Sequence, residues 1–247
     1  MKLACLAGAT PRMILCDDHG AWCKACAPGL MAALEQGEFA THGDPLEPPD
    51  AATLAAPLPH SHTFLDGSAY VNHVELVRRA RGAEMPERFW TDPLMYQGCA
   101  TFLPPRASFH GDPAWGIDFE AEIAVICDAV PRGASVEEAG RAIRFAMLLN
   151  DISLRALIPD ELSKGFGFVQ SKPPSQCAPF AVSVEALPGW DGRKLSGTMR
   201  VALNDAPFGA VECGQDMTFD FAQLVAHAAR TRALPPGAVI GSGTISN

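Results

Sequence analysis

The run Gly116-Ile-Asp-Phe-Glu120-Ala-Glu122-Ile-Ala-Val-Ile126 constrains the chain more than any other segment. From Ile117 to Ile126 it holds no glycine or proline, its residues suit a strand, and turn-forming Asp128 to Gly133 follow. Side chains two apart on a strand share a face about 7 Å from one another, so Glu120 and Glu122 point the same way. The Ile-Ala-Val-Ile that follows has the character of an interior, where carboxylates are rare unless paired or bound to a metal. No Lys or Arg lies between Arg106 and Arg132 to pair with them locally. The segment is therefore either an E-x-E metal site or an edge strand carrying two solvated glutamates.

A strand of this kind needs a core, and 247 residues at 48% hydrophobic and 19% charged can bury one. The length suits one large domain, or one domain with a small extra module. A net charge of -9 with no basic run argues against nucleic acid or an anionic membrane as partner. An anionic small substrate stays open, because a local site can invert the overall field. No apolar run approaches the roughly 20 residues that span a bilayer, and Met1 to Gly20 lacks a signal-peptide core. Eight scattered cysteines without a framework of spacings favour reduced thiols, hence a cytoplasmic protein.

Residues 1–59 differ in composition from the rest, with four of the eight cysteines and a Pro-rich stretch from Pro45 to Pro59. Two short strands (Lys2–Leu6, Arg12–Asp17), a helix from Gly29 to Gln36 and a linker to Pro59 are expected there. Cys23-Lys-Ala-Cys26 has the spacing of thiol oxidoreductases, but Pro28-Gly29 interrupts the helix that would activate its first thiol. Ordinary thiols are the reading, and a zinc site would need a second ligand pair that the sequence does not offer.

Further on, Asp66-Gly67 suggests a turn, and Ser68 a cap for a helix from Tyr70 towards Arg81 carrying His73. Asp66, Asn72 and Glu75 are at hand to orient that imidazole for general-base work. Pro86 to Pro105 reads as irregular connection, with Tyr96-Gln-Gly98 as a breaker. Ser135-Val-Glu-Glu138 is a capping box. Phe145 to Leu149 is apolar all round, strand or helix, and delivers Asn150-Asp151. Lys164 to Pro174 lacks the spacing of a phosphate-binding loop. Strands at Ala181–Val184 and Thr198–Asn204, a turn at Asn204-Asp205 and an amphipathic helix from Phe219 to Arg230 complete the reading.

Together, Asp118-Phe-Glu120-Ala-Glu122, Asn150-Asp151-Ile-Ser-Leu-Arg155, Ser171-Lys172-Pro and Gly241-Ser-Gly243-Thr244 resemble the fumarylacetoacetate hydrolase family from about residue 60 onward. Their order and separations, 29 residues from Glu122 to Asp151 and 21 from there to Lys172, carry the resemblance. It implies a mainly β fold with some α, a mixed β-sandwich or roll, behind a small N-terminal module at 1–59. The catalytic domain would be 60–247. The resemblance assigns metal ligation to Asp66, Glu120, Glu122 and Asp151, and catalysis to His73, Lys172 and Arg155. Substrate binding falls to Arg155, Lys172, Thr244 and Tyr70.

Two positions depart from the pattern. Ile158 stands where the family hydrolase has a glutamine three residues after the arginine. Position 76, where some members carry the glutamate that polarises the histidine, is Leu, with Glu75 one residue off. Members of this type continue past the Gly-Thr motif, so a fragment lacking the last strands is expected.

All-oxygen ligands suit Mg²⁺, with Ca²⁺ or Mn²⁺ as alternatives, rather than zinc. The implied reaction is hydrolysis of a C–C bond in a β-diketo acid such as fumarylacetoacetate, in tyrosine and phenylalanine catabolism. The metal would stabilise an enolate and His73 would activate water. Related 2-oxo acid lyases, decarboxylases, hydratases and isomerases share such a site, and an inactive metal-binding fragment is a further alternative. Glycoside hydrolysis fits poorly, because Glu120 and Glu122 project from one strand instead of flanking a sugar. Homodimerisation is the family norm.

Overall fold

The computed structural model describes residues 1–80, 82 and 84–247. Residues 1–59 form β1 (Lys2–Leu6), β2 (Arg12–Cys16), β3 (Trp22–Ala25), α1 (Leu30–Gln36), β4 (Thr41–Leu46) and β5 (Leu54–Ala55). The expected linker thus carries two strands. Cys23 lies within β3, and Cys26 follows that strand instead of opening a helix. β6 (Phe64–Gly67) is followed by α2 (Val71–Ala80) and β7 (Met95–Gln97). Asp66 therefore belongs to a strand and not to a turn. Helix α2 begins at Val71, which puts Tyr70 rather than Ser68 at its cap position, and the expected end at Arg81 lies outside the described residues.

The glutamate segment forms in two pieces, β8 (Ile117–Asp118) and β9 (Ala121–Cys127). The break at Phe119-Glu120 has a backbone cause. The Glu120 amide donates to the Asn150 side chain at 3.3 Å, and its carbonyl accepts from the Asp151 amide at 3.0 Å. Those groups are satisfied without a regular ladder.

After α3 (Val136–Arg141), whose Ser135–Glu138 capping box is present, β10 (Ile143–Asn150) takes the ambiguous apolar run as strand. Next come β11 (Ser153–Leu154), α4 (Ile158–Ser163), β12 (Gln176–Cys177) and β13 (Ala181–Ser183). A hairpin of β14 (Thr198–Leu203) and β15 (Ala206–Glu212) turns at Asn204-Asp205, both at positive φ as a tight hairpin turn demands. α5 (Phe221–Ala228), capped by Asp220 and Gln223, and β16 (Ala238–Gly241) end the order.

Among the described residues one mixed sheet runs β4-β3-β2-β1-β13-β10-β9-β16-β6-β7, with β12 and β5 alongside. The N-terminal strands join it through β1 and β13, so residues 1–59 are continuous with the rest. All its pairings are antiparallel except β16 with β6. Mainly β with some α is the architecture observed.

β9 is interior on both faces. Ile123, Val125 and Cys127 join a core with Phe221, Leu224 and Val225 of α5, whereas Ala124 and Ile126 face a second core containing Phe145 and residues of α1. A strand covered on both sides reads as a continuous apolar run, which is why the sequence here shows no alternation. No helix among the described residues is long and apolar enough to cross a membrane.

Phe145 is 1% exposed and its ring lies 5.5 Å from that of Phe39, joining the central sheet to the segment behind α1. Phe145→Ala should destabilise the protein by about 3–5 kcal/mol through lost burial and a residual cavity. Urea unfolding should show a lowered midpoint with an unchanged slope.

Candidate metal centre and active site

Strand register assembles the centre. β16 lies between β6 and β9, with Gly241 opposite Asp66 on one side and opposite Ala124 on the other. Glu122 is two residues along β9 from Ala124, so the two acids stand on either side of one glycine. A Cβ at position 241 would sit 2.2 Å from Asp66 Oδ1 and 3.2 Å from Glu122 Oε2. Only the missing side chain leaves room for both carboxylates. On the far side of β9, Leu149 of β10 pairs with Glu122, which places Asp151 just beyond the strand end.

Asp66, Glu122 and Asp151 each offer an oxygen within 4.8 Å of the others, and all three are buried. Asp66 Oδ1 accepts from the Gly243 amide at 3.0 Å. Asp151 is well served: Tyr96 donates to Oδ2 at 2.5 Å and Ser175 to Oδ1 at 2.6 Å. Both Glu122 oxygens are buried without a hydrogen-bond partner. Buried polar atoms normally have partners, so an orphaned carboxylate marks a place that wants a proton or a cation. Burial first, then the neighbouring Asp151 charge, pushes Asp66 up to about 8. Burial, followed by the Asp66 and Asp151 charges, raises Glu122 well above the carboxylate range. Three clustered acids with only oxygen donors fit a hard divalent cation, whose charge would remove the repulsion.

Glu120 has a different fate from Glu122. It stands outside the triad, and its oxygens pair with Lys172 Nζ at 2.8 Å and Arg155 Nη2 at 2.6 Å. Burial alone would raise its pKa, but those two cations outweigh it and bring the carboxyl down to about 2. The cations that the sequence lacked nearby thus arrive from 35 and 52 residues further along. Lys172 Nζ also donates to Asp151 Oδ2 at 2.5 Å and to Ser153 Oγ at 2.7 Å, and lies 5.4 Å from the Tyr96 ring centroid. Burial disfavours its charge, yet Asp151 and Glu120 hold the ammonium protonated above the usual lysine value. Arg155 is aimed by Asp118, whose Oδ2 accepts from Nε at 2.8 Å.

Asp66, Glu120, Lys172 and Arg155 border a cavity of about 280 Å³ together with His73, Tyr70 and Thr244, and Glu122 and Asp151 lie buried behind its wall. His73 sits in the first turn of α2, half-buried, and no described residue hydrogen-bonds its ring. Burial lowers its pKa, with the Glu120 charge pulling the other way. The neighbours expected to orient it are engaged elsewhere: Glu75 pairs with Arg79 at 2.8 Å and Asn72 reaches Ser246. Tyr70 borders the cavity, but its hydroxyl donates to the Cys213 carbonyl at 2.5 Å and is not free for a ligand. The outer wall is apolar, with Val74, Val77, Leu94, Ile158 and Phe168.

Sequence reasoning missed Tyr96 and Ser175, which bind Asp151. Tyr96 sat in a stretch read as a breaker, and neither residue has a spacing that could have signalled it.

A search of curated protein sequences finds no significant match. Among solved structures, a Mycobacterium smegmatis protein assigned as HpcE superposes with a TM-score of 0.73 at 20% identity, covering 100% of this chain and 87% of that one. A 5-carboxymethyl-2-hydroxymuconate delta-isomerase from Mycobacterium smegmatis gives 0.69 at 18%, covering 99% and 88%. A fumarylacetoacetate hydrolase from Exiguobacterium antarcticum gives 0.68 at 17%, covering 99% and 86%. These likenesses show a shared fold. The family model described as fumarylacetoacetate (FAA) hydrolase C-terminal matches residues 62–247, three quarters of the sequence. The chain belongs to the fumarylacetoacetate hydrolase family.

Proposed function

We propose that this protein is a metal-dependent hydrolase that cleaves a C–C bond in a β-diketo acid of the fumarylacetoacetate kind, in aromatic amino-acid breakdown. One observation carries the reading: a buried acidic triad with two orphaned oxygens reaches, through Asp66, a cavity that Lys172, Arg155 and His73 also line. Asp66, Glu122 and Asp151, with Glu120 as fourth carboxylate, would hold Mg²⁺ or a similar ion. When bound, that ion supplies Lewis acidity towards the oxygens of a 1,3-diketone.

The protein groups do the rest. His73, kept neutral at physiological pH by its lowered pKa, accepts a proton from water at a ring nitrogen. The resulting hydroxide attacks a carbonyl, whose oxygen becomes anionic. Lys172 supplies the positive charge of its held ammonium, and Arg155 its spare N–H donors, beside that developing charge. The C–C bond then breaks with its electrons passing into the second carbonyl, and the departing carbon regains a proton. Thr244 hydrogen-bonds the substrate carboxylate, Tyr70 closes the wall, and the apolar outer residues exclude water.

Chelation should abolish turnover, and added Mg²⁺ or Mn²⁺ should restore it. A stripped enzyme running at the full rate would overturn the reading. Glu122→Gln should lose both metal binding, measured by calorimetry, and activity, while its melting temperature stays at or above that of the parent, because one buried like charge has gone. Lys172→Met should lower kcat by about 10²–10³-fold on a β-diketo acid followed by loss of its enol absorbance. If a panel shows isomerisation or decarboxylation of 2-oxo acids and no diketone cleavage, the hydrolase assignment fails while the metal site stands.

A homodimer is part of the same proposal. Exposed Leu148, Leu203 and Phe208 lie on or beside the β14–β15 hairpin, with Phe119 and Phe208 packed edge to face at 5.5 Å. Sedimentation velocity should find twice the 26.2 kDa chain mass, and Leu148→Lys should halve it.

A further inference from the structure

The segment just before Lys172 is organised by one side chain to which no role has yet been given. Glu161, on α4, accepts hydrogen bonds from four consecutive backbone amides: Phe168 and Val169 at 3.0 Å, Gln170 at 2.9 Å and Ser171 at 3.1 Å. The Ser171 hydroxyl donates to it as well. A row of amides turned inward on one carboxylate is an anion nest, built here around a side chain of the same protein. The local conformation matches: Phe168 has φ of 71°, which a non-glycine residue adopts only when its surroundings hold it there. Burial would raise the Glu161 pKa, but the hydrogen bonds from Ser171, Gln170 and Phe168 dominate and hold it at about 2, so the carboxylate is charged at all working pH values.

Both ends of this loop touch the site. Ser171 is wholly buried, its carbonyl accepts from the Leu154 amide at 2.8 Å, and the next residue is Lys172. At the other end the Phe168 ring lies 5.0 Å from that of Tyr96, whose hydroxyl binds Asp151. Val169 between them and Phe166 just before them are 84% and 88% exposed, so packing contributes little to holding the chain here. Gly165, at φ of 90°, gives no stiffness either. The polar interactions with Glu161 are what fix the backbone from which the lysine projects.

We propose that Glu161 is a positioning residue for Lys172: its carboxylate clamps the 168–171 backbone and so sets the ammonium among Glu120, Asp151 and Ser153, and Phe168 against Tyr96. The inference deepens the proposed function and rests on it only for the catalytic consequence. Lys172 can occupy its three-acceptor position reproducibly only if its own backbone is held, and the clamp does this from outside the pocket without occupying substrate space.

The test uses Glu161→Gln in the full chain. Gln keeps the size but presents an NH₂ where amides need an acceptor. Amide hydrogen exchange at residues 168–171 should accelerate at least tenfold. Labelling of Lys172 by acetic anhydride, followed by mass spectrometry, should rise at least tenfold, because the amine leaves its buried partners. With a β-diketo acid as probe, kcat should fall at least tenfold with KM within threefold. Faster loop exchange with Lys172 labelling within twofold of the parent would reduce Glu161 to a loop-folding role and overturn the proposal; so would unchanged exchange. If the parent itself turns over no β-diketo acid, the functional reading fails alone, and exchange and labelling still decide the role of Glu161. Should Glu161→Gln not fold, Ser171→Ala removes one of the five donors, and a threefold rise in both readouts supports the clamp where no rise refutes it.

Discussion

The structure turns on the repulsion among carboxylates gathered where β6, β9 and β10 bring them together, with β16 between the first two. Asp66, Glu122 and Asp151 offer oxygens within 4.8 Å of one another in the interior, and the Lys172 ammonium contacts Asp151 and Glu120 but leaves Glu122 without a hydrogen-bond partner among the described residues. Burying an unpaired charge is costly, so such a cluster is maintained only where the fold forces it together and something else relieves it. The force comes from the sheet. Asp66 and Glu122 are fixed across Gly241 by ladders whose register is set by two apolar cores, one on each face of β9. A one-residue slip would send each β9 side chain into the opposite core, whose packing it does not fit, so the geometry of the acids inherits the stability of the whole interior.

Around this point the charges are graded. The triad lies under the wall and reaches the cavity through Asp66, Lys172 and Arg155 make a cationic flank tied down through Glu120 and Asp118, and the rim is apolar. Each cation is held by more than one anion, which removes the freedom of two long side chains. The three Lys172 N–H groups are taken by Glu120, Asp151 and Ser153, whereas Arg155 keeps N–H groups to spare beside the cavity. His73 is held more loosely, through its helix alone. A ring without a fixed partner can choose its tautomer according to what enters the pocket.

The electrostatics also explain why two glutamates in one motif act differently. Glu120 lies in an irregular link between β8 and β9 and meets cations delivered by β11 and by the loop before β12. Glu122 lies within the ladder and meets only other acids. The motif gave no hint of this, since the partners of Glu120 come from 35 and 52 residues further along the chain.

Much was legible without coordinates. The strand Ile-Ala-Val-Ile, the capping box at Ser135 and the hairpin turn at Asn204-Asp205 depend on neighbours a few residues apart, so local chemistry determines them. The order of acidic, Arg and Lys motifs likewise sufficed for the family. The sequence could not decide that Phe145 to Leu149 is strand, because a segment covered on both faces loses its period. Nor could it show that Asp66 ends a strand, that Tyr96 and Ser175 serve Asp151, or that residues 1–59 continue the main sheet. Those facts arise from pairings between distant segments, where the free energy of burying two cores overrides local preference. The amino acids set which charges the protein carries; only the closed sheet decided which of them must share one buried space.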